Sequence, residues 1–266
     1  MKRVIFTADD FGLCDEVNEA VELGHANGVL SAASLMVAAP AVKDAVERAR
    51  RLPNLRVGLH LTLVDGRPLL PPARIPALVN SDGMFSTNLV ANGVKWFFSP
   101  AARRDLRNEI RAQFEAFKAT GLKLDHVNAH NHMHLHPTVL SMIFDNAKAF
   151  GVTAVRLPAE PPQPRLALWL WLMRRRLRAA GLHYNDVLVG LRDTGHLTET
   201  RVLDALDRLR DGVSEFYFHP SIKATAALEA AAPGYDREGE LHALTSRPVA
   251  ERMAAMRLKP LGFTDL

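Results

Sequence analysis

Two rhythms of hydrophobic and polar positions alternate along the chain. Short apolar runs at 4–8, 30–37, 55–61, 152–157, 186–191 and 214–218 read as strands. Between them, apolar residues recur at helical spacing. Val17, Ala20, Val21 and Leu23 mark a helix to His25; Val42, Ala45, Val46 and Ala49 mark one over 41–52; Leu106, Ile110, Phe114 and Phe117 mark a long one over 101–120. Further helices are expected over 137–150, 166–180, 200–209 and 247–256, with Gly28, Gly121 and Gly212 as stops. The stretch 71–100 has neither rhythm for most of its length, apart from a short helix near 88–98. It is too long for a plain connection and reads as an excursion on the substrate side.

Strand followed by helix, repeated six or seven times without a linker or internal repeat, implies a parallel sheet with helices outside and one domain over 1–266. At this length a TIM-barrel-like (β/α) barrel, complete, incomplete or distorted, is expected over a doubly wound sheet. No GxGxxG or GxxxxGK[ST] follows the first strand, which argues against a nucleotide-binding sheet.

One further strand, expected over 123–130, carries the densest chemistry. His126, His130, His132, His134 and His136 all occupy even positions, and Pro137 then opens a helix. In an extended strand His126, Asn128 and His130 share a face. Loops between strand and helix are where α/β folds carry their sites, and imidazole is the commonest metal ligand among side chains. A solvated histidine run is the plainer alternative.

Composition narrows the setting. Hydrophobic residues make up 48% of the chain, enough for an ordinary core. The single cysteine, Cys14, excludes an internal disulfide and a CxxC zinc knuckle, and reads as a small buried filler. The basic, apolar opening is cut short by Asp9 and Asp10, so a signal peptide is not expected, and no apolar run is long enough to span a bilayer. A cytoplasmic location is expected, with or without peripheral contact at the inner membrane. The net charge of +4 is modest, and nucleic acid is not an expected partner.

Four polar signals fall at the C-terminal ends of expected strands: Asp9-Asp10, His60, the 126–136 run and His219. In a barrel these ends meet at one face. Buried carboxylates and imidazoles are costly unless paired or bound to a metal, so four together are hard to explain by packing. One carboxylate and two imidazoles make a three-ligand site with open positions; a further carboxylate can take a proton from water and a protonated histidine can return it. Adjacent aspartates point apart in an extended strand, so sharing one site requires the chain to bend between them.

The chain resembles a known family at these residues. Thr7-Ala8-Asp9-Asp10-Phe11-Gly12, Val57-Gly58-Leu59-His60-Leu61, His126 to His134 and Phe218-His219-Pro220 look like the motifs of the YdjC-like carbohydrate deacetylases. That family includes chitooligosaccharide deacetylases and the hopanoid-associated HpnK branch; residues 32–37 and 65–72 look closest to the latter. The resemblance implies a TIM-barrel-like deacetylase using one divalent metal ion, Mg²⁺ or Zn²⁺. By motif, Asp10, His60 and His130 would be its ligands, His130 rather than His132 or His134. Asp9 would be the base and His219 the acid. His126, Asn128, His132, His134 and Arg156 would support the ligands or touch substrate, with an ion pair as the plainer role for Arg156. The implied reaction is hydrolysis of an N-acetylglucosamine acetamide, on a hopanoid glycolipid first and a chitooligosaccharide second.

Other classes fit less well. Metallo-amidohydrolases and phosphoesterases usually open on His-x-His rather than Asp-Asp, and a metal-buffering protein would not need four separate strand ends. In 165–178, two tryptophans and several leucines precede four arginines. That stretch reads either as a core helix with a solvated end or as a peripheral membrane contact. The expected partners are thus a small-molecule or glycolipid substrate, that membrane surface and a second copy in a homodimer.

Overall fold

The structure, a computed structural model, describes residues 1–266. Strands β1 (Lys2–Phe11), β2 (Ala32–Leu35), β3 (Arg56–Leu61), β4 (Leu124–Ala129), β5 (Val187–Val189) and β6 (Gly212–Phe218) form one sheet in the order β4-β3-β2-β1-β6-β5. Every pairing is parallel. Chain order is kept except for the step from β1 to β6, which is how the first and last strands of a wound barrel meet. The curl closes through single bridges: Val155 pairs with Val127 of β4, and Ala154 pairs with His183 just ahead of β5. This is a distorted, half-barrel version of the expected (β/α) barrel.

Around the sheet lie α1 (Asp15–Ala26), α2 (Val42–Arg51), α3 (Leu89–Phe98), α4 (Pro100–Ala119), α5 (Pro137–Phe150), α6 (Ala167–Ala179), α7 (Glu199–Asp207), α8 (Ala226–Ala231), α9 (Arg237–Thr245) and α10 (Arg247–Ala255). Their starts follow from local chemistry. Ser99 caps α4 through its side chain, with Pro100 in the first turn, and the His136 side chain caps α5 ahead of Pro137. Most of β1 is fully buried because helices cover the outer face of the curled sheet and its inner face packs into the barrel interior. The main apolar cluster joins β1, β3 and β4 to α4, α5 and α6.

Three expectations are corrected. Residues 152–157 make bridges rather than a strand. Asn185 explains part of this, because its side chain takes both the amide and the carbonyl of Leu157 in place of a neighbouring backbone. β4 ends at Ala129, so His130 leaves the strand and opens a 3-10 turn, His130–Leu135. Gly212 begins β6 instead of ending a helix. Helices α8 and α9 occupy the stretch between His219 and Arg247, to which the pattern assigns nothing.

Candidate active site

β1 delivers both aspartates. Its pairing with β2 shifts between Ala8 and Phe11, and Asp10 sits at φ 62°, in the left-handed region that a non-glycine residue seldom takes. This is the bend that lets neighbouring carboxylates serve one site. The histidine turn uses the same device, with Asn131 at φ 51° and His132 at φ 53°. Left-handed residues of this kind cost of order 1–3 kcal/mol each and gather at functional sites.

Asp10, His60 and His130 converge so that one ligand atom from each lies within 4.8 Å of the others. Asp10 Oδ1 is 3.4 Å from His60 Nε2 and 3.2 Å from His130 Nδ1. Burial alone would raise the Asp10 carboxyl, but His130 and His60 outweigh it and hold it well below the usual range. Burial alone would lower His130, but Asp10 beside it wins and raises it.

The residues beneath prepare this trio. Asn128 Oδ1 accepts from His60 Nδ1 at 2.7 Å, which leaves Nε2 with a free lone pair turned toward Asp10. Asn128 Nδ2 donates to Asp9 Oδ1 at 3.2 Å and to Ser34 Oγ at 2.9 Å. Ser34 meets His126 Nε2 at 3.0 Å, and His126 Nδ1 meets Asp125 Oδ2 at 2.9 Å. With Asn128 donating to Ser34, the hydroxyl proton goes on to His126 Nε2, and His126 Nδ1–H goes to the carboxylate. One chain of hydrogen bonds thus assigns every tautomer from Asp125 to His60. His126 is therefore part of the barrel interior and does not reach the cavity. Its ring leaves no room above Gly58, where an added Cβ would lie 2.5 Å from it.

Arg156 is fully buried between two carboxylates. It donates to Asp9 through both Nη atoms and to Glu215 Oε1 through Nε and Nη2. Burial would push the Asp9 carboxyl up; Arg156, with His60 and His219, holds it far below the usual range. The geometry is that of the ion pair rather than of a group open to substrate.

Above these groups lies a cavity of about 390 Å³, lined by Asp9, Asp10, His60, His130, His132, Tyr217, His219 and Tyr235 among others. His219 follows β6, with Glu240 accepting from its amide and Arg237 donating to its carbonyl. Burial lowers its imidazole to about 4, and its Nδ1 has no partner. Burial likewise lowers His132 to about 3. His134 lies wholly buried behind His132 with neither ring nitrogen bonded, so it does not join the trio. A cavity of similar size, about 410 Å³, opens among Asp186, Arg192 and Arg208, between α7 and the β5–β6 edge of the sheet. It holds no histidine and no unpartnered buried group.

Sequence reasoning passes over Ser34, Asp125, Glu215, Tyr217, Tyr235, Arg237 and Glu240. A charge within an apolar run is the available signal for two of them. Glu215 inside Val213-Ser214-Glu215-Phe216 and Asp125 inside β4 both demand a buried partner.

A curled parallel α/β sheet whose C-terminal mouth gathers an aspartate pair and two histidines defines a barrel-type protein with a polar pocket at that mouth. The chain belongs to the YdjC-like protein family, whose sequence profile matches residues 3–255. It is similar to a carbohydrate deacetylase of Vibrio vulnificus, 35% identical with 99% of this chain and 94% of that one covered. It is also similar to a carbohydrate deacetylase of Geobacillus stearothermophilus, 32% identical over 98% and 96%. In fold it matches an Enterococcus faecalis structure, a candidate cellobiose-phosphate cleavage protein. That match has a TM-score of 0.82 and 24% identity, and covers 99% of this chain and 98% of that one.

Proposed function

We propose that the protein is a metal-dependent carbohydrate N-deacetylase. The observation that carries this reading is the convergence of Asp9, Asp10, His60, His130 and His219 on one cavity. The donor set suits a divalent ion: a firmly ionised carboxylate, an imidazole whose other nitrogen is already tied down, and a second imidazole at the same carboxylate. Asp10, His60 and His130 would hold it; oxygen and nitrogen donors are compatible with both Mg²⁺ and Zn²⁺. When bound, such an ion supplies Lewis acidity, polarising the acetyl carbonyl and acidifying water.

The chain's own residues do the rest. Arg156 and Asn128 fix Asp9, which stays ionised and aims its carboxylate at the cavity as the acceptor of water's proton. His219 rests neutral, and so receives during the reaction the proton that it delivers to the departing nitrogen. The water oxygen bonds to the acetyl carbon, the C–N bond breaks, and acetate and a free amine leave. Tyr217 and Tyr235 flank His219 edge-on and offer flat walls to a sugar ring.

The substrate we favour is an N-acetylglucosaminyl hopanoid, on the strength of residues 32–37 and 65–72; a chitooligosaccharide is the second choice. Acetate release from each substrate, measured beside metal content by plasma emission, tests both levels. Asp9→Asn is expected to keep metal and lose roughly 10²–10⁴ in kcat, while His130→Ala loses metal and activity together. Full activity in Asp9→Asn would overturn the assignment.

A further inference from the structure

The apolar surface of this molecule is concentrated. Of its ten exposed large hydrophobic side chains, nine lie on or beside two helices: Leu89, Val90, Val94, Phe97 and Phe98 on α3, and Leu166, Leu168, Trp171 and Leu172 at α6. Phe98 is 72% exposed and Leu168 71%, values that neither core packing nor chance scatter explains. α6 does bury one face, through Leu170, Met173 and Leu177, so the core-helix reading accounts for that side only.

Both helices flank the same structure. The Trp169 indole donates to Leu135 O, and His136 Nε2 meets Gly93 O at 3.0 Å while its ring packs edge-on against Trp96 and Phe97. Residues 135 and 136 end the turn that carries His130 and His132 into the cavity, and Leu89 lines the cavity itself. The apolar residues therefore rim the mouth of the site.

Charge separates the candidate occupants. Residues 83–104 contain Lys95, Arg103 and Arg104 and no acid until Asp105; residues 161–185 contain Arg165, Arg174, Arg175, Arg176 and Arg178 and no acid at all. Only Arg104 has a carboxylate partner, Asp105. Arg175 lies over the Trp171 ring at 4.9 Å. A second copy brought to this face by a two-fold axis would set these cations against each other. An anionic bilayer offers apolar depth for the leucines and aromatics and negative headgroups for the ring of cations.

We infer that α3 and α6 form a docking face for an anionic lipid surface, which holds the mouth of the cavity against the membrane. This deepens the proposed function by placing the amphiphilic substrate where it enters, but the docking is physically separate from the chemistry. The test is co-sedimentation of the full-length protein with phosphatidylglycerol–phosphatidylcholine vesicles and with pure phosphatidylcholine vesicles. It is repeated for Phe98→Ser/Leu168→Ser/Trp171→Ser, with light scattering of each protein alone and acetate release from a soluble chitooligosaccharide alongside. The expected result is binding to the anionic vesicles that weakens with salt, a loss of about tenfold or more in the triple variant, and monomers of unchanged soluble activity in both. Equal partitioning of both proteins, equal binding to neutral vesicles, or a wild-type dimer that the triple variant dissolves would overturn the docking face. Vesicle binding without acetate release from this sugar or from an N-acetylglucosaminyl lipid carried in the same vesicles would retire the deacetylase reading and leave the docking face standing; release without binding would do the reverse.

Discussion

Arg156→Met isolates the pair on which Asp9 depends. The substitution keeps most of the side-chain volume and removes the guanidinium from between Asp9, 2% exposed, and Glu215, fully buried. Glu215 Oε1 loses both its donors, and its Oε2 has none to begin with. Asp9 keeps only Asn128 at 3.2 Å. Breaking one buried pair by removing a partner costs about 3–5 kcal/mol, a large part of the roughly 5–15 kcal/mol that holds a domain folded. The loss also has a sign with pH. In the native protein Asp9 is held below its ordinary value of 3.8, so the stability it contributes is fully present above that value. That contribution fades only in strong acid and is flat between pH 5.5 and 8. Without Arg156, burial dominates and lifts the carboxyl above its unfolded value. The folded variant then takes up a proton that the unfolded chain does not, and its deficit grows as pH rises. Urea unfolding of metal-stripped protein at pH 5.5 and 8, wild type beside variant, reads this directly. A deficit under about 1 kcal/mol, or one equal at the two pH values, would refute the reasoning.

Three other outcomes follow from the same network. Asn128→Leu frees His60 Nδ1 and is expected to weaken metal binding by about 10–100-fold with the fold intact, measured by competition with a chromogenic chelator. Gly58→Ala drives a methyl group into the His126 ring and should cost about 1–3 kcal/mol by thermal unfolding. For the metal-stripped protein as a whole, burial lowers His132 to about 3, His219 to about 4 and holds His134 well below its ordinary value; His130, raised, and Glu240, lifted by burial to about 7, oppose these three. The unfolded chain therefore binds more protons below pH 6.5, so Tm is expected to fall from pH 7 to pH 5, and a flat Tm would contradict the neutral burial of these rings.

Periodicity made most of the framework legible. The helices over 101–120 and 137–150 and the strands ending at Asp9-Asp10, His60 and His219 could be read because an apolar stripe or run has few other uses. Geometry that depends on single backbone torsions could not be read. Nothing in the letters Asp9-Asp10 announces a left-handed Asp10, and a strand expected to run through His130 into a polar loop does not announce the left-handed Asn131 and His132. The role of His126 was hidden for a related reason. Its place on the strand face was predictable, but whether that face points to the cavity or into the barrel depends on Gly58 and Phe263, far away in sequence. Arg156 could be noticed but not assigned, since its two partners are 147 and 59 residues away.

The end of the hydrogen-bond chain at Asp125 ties the site to a segment far away along the chain. That carboxylate is gripped by the amides of Phe263 and Thr264 and by the Thr264 hydroxyl, while Leu261 reaches the backbone of Val4. A change at Phe263 or Thr264 should therefore be felt at His60, through Asp125, His126, Ser34 and Asn128, although neither residue comes near the cavity.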